Sequence, residues 1–203
     1  MKVALIGVSG QVGARLLAEL LRRGHLVTGI ARGTRGVAAR PHLLLRTADA
    51  TRPAQLAPLL AGHDAVISAT KFASADAPAL IAALKQAGVP RLLVVGGAGS
   101  LELAPGQTLL DTPGFPAAYK PEAVAGRRFL DTLRQETRLD WSFLSPPAEL
   151  VPGERSGRFR LGGDRLLTDA NGRSWISMED FAIALVDELE RPRHTRQRFT
   201  VGY

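Results

Sequence analysis

Short, continuous apolar runs alternate along this chain with stretches whose apolar residues recur every three or four positions. Val3 to Ile6, Leu26 to Ala31, His42-Leu-Leu-Leu-Arg46, Ala65-Val-Ile-Ser-Ala69 and Arg91-Leu-Leu-Val-Val-Gly96 have the length and continuity of buried parallel strands. Between them, Val12, Leu16, Leu17, Leu20 and Leu21 mark one face of a helix that ends at Gly24. Gln55 to Leu60 reads as a short helix ended by Gly62, and Pro78 to Ala87 as another ended by Gly88. Strand and helix in strict alternation predict an α/β fold: a doubly wound, mostly parallel sheet with helices on both faces. Trp141 and Phe143 alternate with Ser142 in a further strand, where core packing is the expected role. Ser177-Met-Glu-Asp180 opens a helix over Met178 to Glu190 with a side-chain cap.

Two segments break the rhythm. Ala148 to Asn171 is irregular, with Pro152-Gly153 and Gly162-Gly163, and is the expected cover over a substrate. Its Arg155, Arg158 and Arg160 either meet an acidic substrate or are solvated. The final Arg196 to Tyr203 alternates polar and apolar residues, as an edge strand or a dimer contact would. No linker or repeat interrupts the series, so residues 1–203 read as a single domain with a small C-terminal cover.

The first strand runs straight into Gly7-Val-Ser9-Gly10-Gln11-Val12-Gly13, and the first helix follows at once. A helix N-terminus offers unpaired amides and the positive end of a dipole, and glycines let a pyrophosphate approach the backbone. The expected ligand is a dinucleotide, although G-x-x-G-x-x-G differs from the G-x-G-x-x-G of ordinary dehydrogenases. After the second strand an NAD site would place an acid for the ribose hydroxyls; this chain has Arg32-Gly-Thr-Arg35. A guanidinium there suits a 2′-phosphate, which favours NADP(H) over NAD(H). Ligands gather at the carboxyl ends of strands in such a sheet. Gly7 to Val12, Arg32, Asp49-Ala50, Ser68-Ala69-Thr70 and Gly96-Gly97 through Gly99 should therefore line one crevice.

Several pieces together give the chain a family resemblance. They are the first turn, Leu93-Val-Val-Gly96-Gly97-Ala-Gly99-Ser100-Leu, Phe115-Pro-Ala-Ala-Tyr119-Lys120-Pro-Glu122, Asp140 to Pro147, and Ile176-Ser-Met-Glu-Asp180-Phe-Ala. The chain resembles the atypical short-chain dehydrogenase/reductases, more narrowly the NADH-flavin reductase group related to flavin/biliverdin reductases and to nitrogen-regulation NADP sensors. The resemblance implies a Rossmann-type domain. It further implies adenine near Asp49, phosphates over the first turn, and nicotinamide near Ser68 to Thr70, Gly96 and Ser145-Pro146-Pro147.

The catalytic pattern departs from that family's Ser, Tyr and Lys with Y-x-x-x-K spacing, which sets Tyr and Lys on one helix face so that the ammonium lowers the phenol pKa. Here Lys120 follows Tyr119 directly and Ala123 stands four residues on. If both were helical they would point apart; in a loop before the helix they could converge. Ser100 is the candidate serine. Tyr119, Lys120 and Ser100 are thus catalytic candidates without a triad. Hydride transfer to a delocalised ring such as FMN, another flavin or a quinone needs less proton donation than carbonyl reduction and suits a site that works by positioning. The expected activity is an NAD(P)H-dependent reductase of such an acceptor; the alternative is an NADP(H)-binding redox sensor without chemistry.

Composition narrows the field without changing it. Net charge is +7 from 26 basic and 19 acidic residues. The arginines are scattered, however, and no basic run is interleaved with stacking aromatics, so no nucleic-acid or membrane partner is expected. With no cysteine there is no disulfide or thiol nucleophile, and a reducing cytoplasm is the expected compartment. His25, His42, His63 and His194 lack ligand spacing, so surface histidines and no metal are expected. The oligomer is expected to be a monomer or a homodimer.

Overall fold

The computed structural model describes all 203 residues. In chain order the elements are β1 (Lys2–Ile6), α1 (Gln11–Arg22), β2 (Leu26–Ala31), β3 (Leu43–Thr47), α2 (Pro53–Leu60), β4 (Ala65–Ser68), α3 (Ala77–Ala87) and β5 (Arg91–Val95). There follow the short pair β6 (Glu102–Ala104) and β7 (Gln107–Thr108), then α4 (Lys120–Arg134), β8 (Asp140–Ser145), β9 (Glu149–Val151), β10 (Arg160–Gly162), β11 (Trp175–Ser177), α5 (Met178–Glu190) and β12 (Gln197–Gly202). Eight strands make one sheet in the order β10-β12-β8-β5-β4-β1-β2-β3, parallel throughout except at β10. This is the doubly wound, Rossmann-type sheet that the alternation predicts. Its switch point lies between β1 and β4, where the chain leaves in opposite directions and a crevice opens.

Period-two alternation within the strands decides which helices each face receives. Ala4, Ile6, Val66, Leu92, Val94, Trp141 and Phe143 pack with residues of α2, α3 and α4. Val3, Leu5, Ala65, Ile67, Leu93 and Leu144 pack with α1 and α5. Each large side chain so buried contributes about 1.5–3 kcal/mol before entropy is counted. Caps set the helix starts: the Ser177 hydroxyl accepts from the Asp180 amide at 3.0 Å, and the Asp76 carboxylate from the Ala79 amide at 3.3 Å. Both expected roles, Trp141 and Phe143 in the core and Ser177 as a cap, are seen.

Three expectations are corrected. The C-terminal strand is no edge: β12 lies between β8 and β10, and Thr200 and Val201 are fully buried. Its Thr200 hydroxyl donates to the Ser145 carbonyl at 2.8 Å, and antiparallel β10 takes the edge position. The segment 148–171, apart from Ala148 and Leu150, does not roof the strand ends. Arg155 leaves it to bind Glu19 of α1 at 2.9 and 3.0 Å, and the Gly157 amide donates to Asp180 of α5 at 2.8 Å. Its residues 153–157 form a strap along the α1–α5 layer, drawn there by two buried carboxylates that need donors. Of the histidines expected on the surface, only His42 is exposed. His25 is buried against Glu190 at 2.8 Å, His63 reaches the Thr28 hydroxyl at 2.8 Å, and His194 stacks on Phe199 at 4.1 Å.

Candidate functional site

The turn between β1 and α1 is built by two forced glycines. Gly7 has φ +88°, and a Cβ there would lie 2.5 Å from the Ala69 carbonyl oxygen. At Gly13 a Cβ would lie 2.0 Å from the Gly7 carbonyl oxygen, so α1 approaches the strand end more closely than any side chain allows. Gly10, the N-cap, makes no side-chain capping bond, and the first turn of α1 carries no acid. The helix therefore presents its positive end and first amides to whatever lies in front of it.

In front of it is a crevice of about 320 Å³. Gly7, Ser9, Gly10, Arg32, Asp49, Ala50, Ala69 and Thr70, all expected, line it together with Ala31, Lys71 and Ser74 among others. The Thr51 amide and hydroxyl, at 3.0 and 2.8 Å, hold the Asp49 carboxyl below the usual carboxylate range, with a further contribution from Arg52 and Arg32. Arg32 lies after β2, where an NAD-binding acid would stand, and Lys71 adds a second cation from the loop after β4. Gln11, Val12 and Ser68 adjoin the crevice without lining it; Ser68 is buried, its hydroxyl 3.2 Å from that of Thr70. The open helix end, the bare backbone at Gly10 and the two cations fit a dinucleotide diphosphate.

Beside it a second, more apolar cavity of about 390 Å³ lies at the ends of β5 and β8. Gly96, Gly97, Pro146 and Tyr119 reach it, with Phe72, Leu109, Phe115 and Pro116. Residues 109–119, before α4, supply the wall that was expected from 148–171, of which only Ala148 and Leu150 take part. The wall is tied down by Arg127 of α4, which donates to Asp111 at 2.8 Å and to the Thr108 hydroxyl at 2.9 Å. Ser145 lines neither cavity; its buried hydroxyl has no partner.

Glu122, in the first turn of α4, joins the two cavities. Its carboxylate accepts the Phe72 amide at 2.6 Å and the Ala73 amide at 2.9 Å. It thereby fixes the loop that sends Lys71 and Ser74 into the crevice and Phe72 into the apolar cavity. Phe72 is anchored behind by Phe129 and Phe143, with ring centroids 5.2 and 5.9 Å away. Lys71, Phe72 and Glu122 were not singled out as site residues from sequence. Glu122 had one available signal, an acid directly after the Tyr-Lys pair in a first helical turn.

The catalytic candidates do not assemble. Tyr119 ends a short 3₁₀ turn, is 66% exposed and lines the apolar cavity. Lys120 begins α4 on the surface and lines neither cavity. Ser100 lines neither cavity; Arg198 donates to its carbonyl at 3.3 Å and its hydroxyl at 3.5 Å. Of the three candidates only Tyr119 reaches the cavity, contrary to the expectation that Ser100 and Lys120 would join it there.

The sequence profile of the NAD(P)H-binding family matches residues 7–192, from the first glycine of the turn to the end of α5. The chain belongs to that family. Among solved relatives of this NAD(P)H-binding protein, a candidate exported protein of Burkholderia pseudomallei is 46% identical over 100% of both chains, with a TM-score of 0.90. A candidate epimerase of Bacteroides thetaiotaomicron is 42% identical over 100% of this chain and 96% of its own, at 0.94. A candidate NADH-flavin reductase of Streptococcus pneumoniae is 36% identical over 100% and 99%, at 0.86. The fold is shared by all three, while their assigned roles differ. No helix of this chain is long and apolar enough to cross a membrane.

Proposed function

We propose that the protein is an NADPH-dependent reductase that passes hydride to a conjugated acceptor, a flavin, a quinone or a similar ring, held in the apolar cavity. The observation that carries the reading is the adjacency of two cavities that share one loop: Lys71 and Ser74 face the nucleotide crevice while Phe72 lines its apolar neighbour. When bound, the reduced nicotinamide supplies the hydride. The chain's own residues bind and position. The N-terminus of α1 receives the diphosphate, Arg32 takes the 2′-phosphate, and Phe72, Pro146 and the 109–119 wall exclude water and hold a flat ring.

Carbonyl reduction would need an acid for the developing alkoxide, and neither Ser100 nor Lys120 stands where it could assist Tyr119. Transfer to a delocalised acceptor makes no such demand, because the ring spreads the charge and takes its proton once released to solvent. The candidate NADH-flavin reductase among the relatives agrees with this choice. Stopped-flow oxidation of NADPH with riboflavin, FMN and quinones tests it. Rapid loss of nicotinamide absorbance with at least one acceptor is expected; tight NADPH binding with no transfer to any of them would overturn the reductase and leave a redox sensor.

A further inference from the structure

Resting on that reading, we infer that the acceptor site selects uncharged rings and discriminates against acceptors carrying a phosphate, sulfonate or carboxylate. No lysine, arginine or histidine lines the apolar cavity. The one carboxylate there, Glu122, has both oxygens engaged by the amides of Phe72 and Ala73, so it offers an anion no donor and only like charge. The polar groups left are the Tyr119 and Thr112 hydroxyls and backbone, and Thr112 donates to the Leu109 carbonyl at 2.8 Å.

Of the arginines that might have met an acidic substrate, Arg158 is exposed and lines neither cavity, and the others are committed elsewhere. Arg155 is held by Glu19, Arg160 by the carbonyls of Thr168 and Tyr203, Arg127 by Asp111, and Arg198 by Asp164. The free cations of the site, Arg32 and Lys71, face the nucleotide crevice. An anion brought into the apolar cavity would lose water, gain no ion pair and sit beside a carboxylate, which is the costly combination for a charge in a low-dielectric site. A neutral ring loses little by the same transfer and gains contact with Phe72, Phe115 and the prolines.

Riboflavin and FMN share one ring system and differ by a phosphate, so the pair isolates the charge. With NADPH saturating, kcat/KM for riboflavin is expected to exceed that for FMN at least tenfold, and a neutral naphthoquinone to exceed its sulfonate by a similar factor. Glu122→Gln should narrow both ratios by raising turnover of the charged member relative to the neutral one. FMN equal to or better than riboflavin would overturn the inference yet leave the reductase standing; an FMN preference abolished by Lys120→Ala would do so and assign the phosphate to Lys120. NADPH oxidation by no acceptor at all would instead remove the reductase reading itself.

Discussion

Alanine at position 13 would press a methyl carbon to 2.0 Å from the Gly7 carbonyl oxygen and 2.9 Å from its carbonyl carbon. Both neighbours are backbone, so no side chain can swing aside. Ordinary contact begins near 3.4 Å, and α1 must therefore withdraw by more than about 1 Å from the end of β1. Overpacking of this kind costs about 1–3 kcal/mol, and the better helix propensity of alanine offsets about 1 kcal/mol of it. Net destabilisation of about 0–2 kcal/mol lowers the melting temperature of a chain this size by up to about 8 °C. The binding effect should be larger. A withdrawn helix end forfeits at least one charge-assisted amide–phosphate bond of about 1.5–3 kcal/mol, which weakens NADPH binding about 10–100-fold. Gly24→Ala is the control: φ is +77° with nothing within 4 Å of the added carbon, so backbone strain alone costs about 1–2 kcal/mol. Thermal unfolding and calorimetric NADPH titration separate the two. The reasoning fails if Gly13→Ala binds NADPH as tightly as the parent chain, or if Gly24→Ala loses as much affinity.

The other expectations follow from the same geometry. Arg32→Ala should weaken NADPH by about tenfold, one bidentate phosphate pair, and leave NADH nearly unchanged; equal losses in titrations of both would show that Arg32 does not read the 2′-phosphate. Glu122→Ala frees the Phe72 and Ala73 amides, so hydrogen exchange there should accelerate and KM for both cofactor and acceptor should rise; unaltered exchange would refute the clamp. Ser100→Ala should change turnover by less than about twofold, since its hydroxyl faces Arg198, and a large loss of kcat would return it to the chemistry. Burial alone would raise the Glu188 carboxyl pKa, but hydrogen bonds from His194, the Arg193 amide and Ser142 outweigh it and hold the pKa below the ordinary value. Stability from this group is therefore present above the unfolded glutamate value of about 4.3 and is lost as pH falls below it. Urea midpoints measured across that window should drop, and Glu188→Ala, which strands buried Arg91, should cost about 3–5 kcal/mol at neutral pH.

The features read correctly from the chain were those that depended on near neighbours, although the equally local β6–β7 hairpin was missed. The β1 strand, the glycine turn and the apolar face of α1 are set within about twenty residues, and the ring of strand ends followed from the parallel order they imply. Hence Gly7, Gly10, Arg32, Asp49, Ala69 and Thr70 fall on one crevice. Where the partner lay far along the chain, reading failed. Nothing near residue 155 signals that its guanidinium will cross to Glu19, and polar–apolar alternation in the last eight residues looks alike at an edge and one strand inside it.

The order of apolar runs determined that this chain would fold as a parallel sheet with a glycine turn at its first crossover, because periodicity and glycine spacing act over a single strand–helix unit. Only the folded chain decided that Ser100 turns to Arg198, that Glu122 clamps the loop between the two cavities, and that residues 109–119 rather than 148–171 wall most of the apolar cavity. Those outcomes were settled by buried carboxylates and close helix contacts between distant segments. They depend on which donors arrive in space, a quantity that no local pattern encodes.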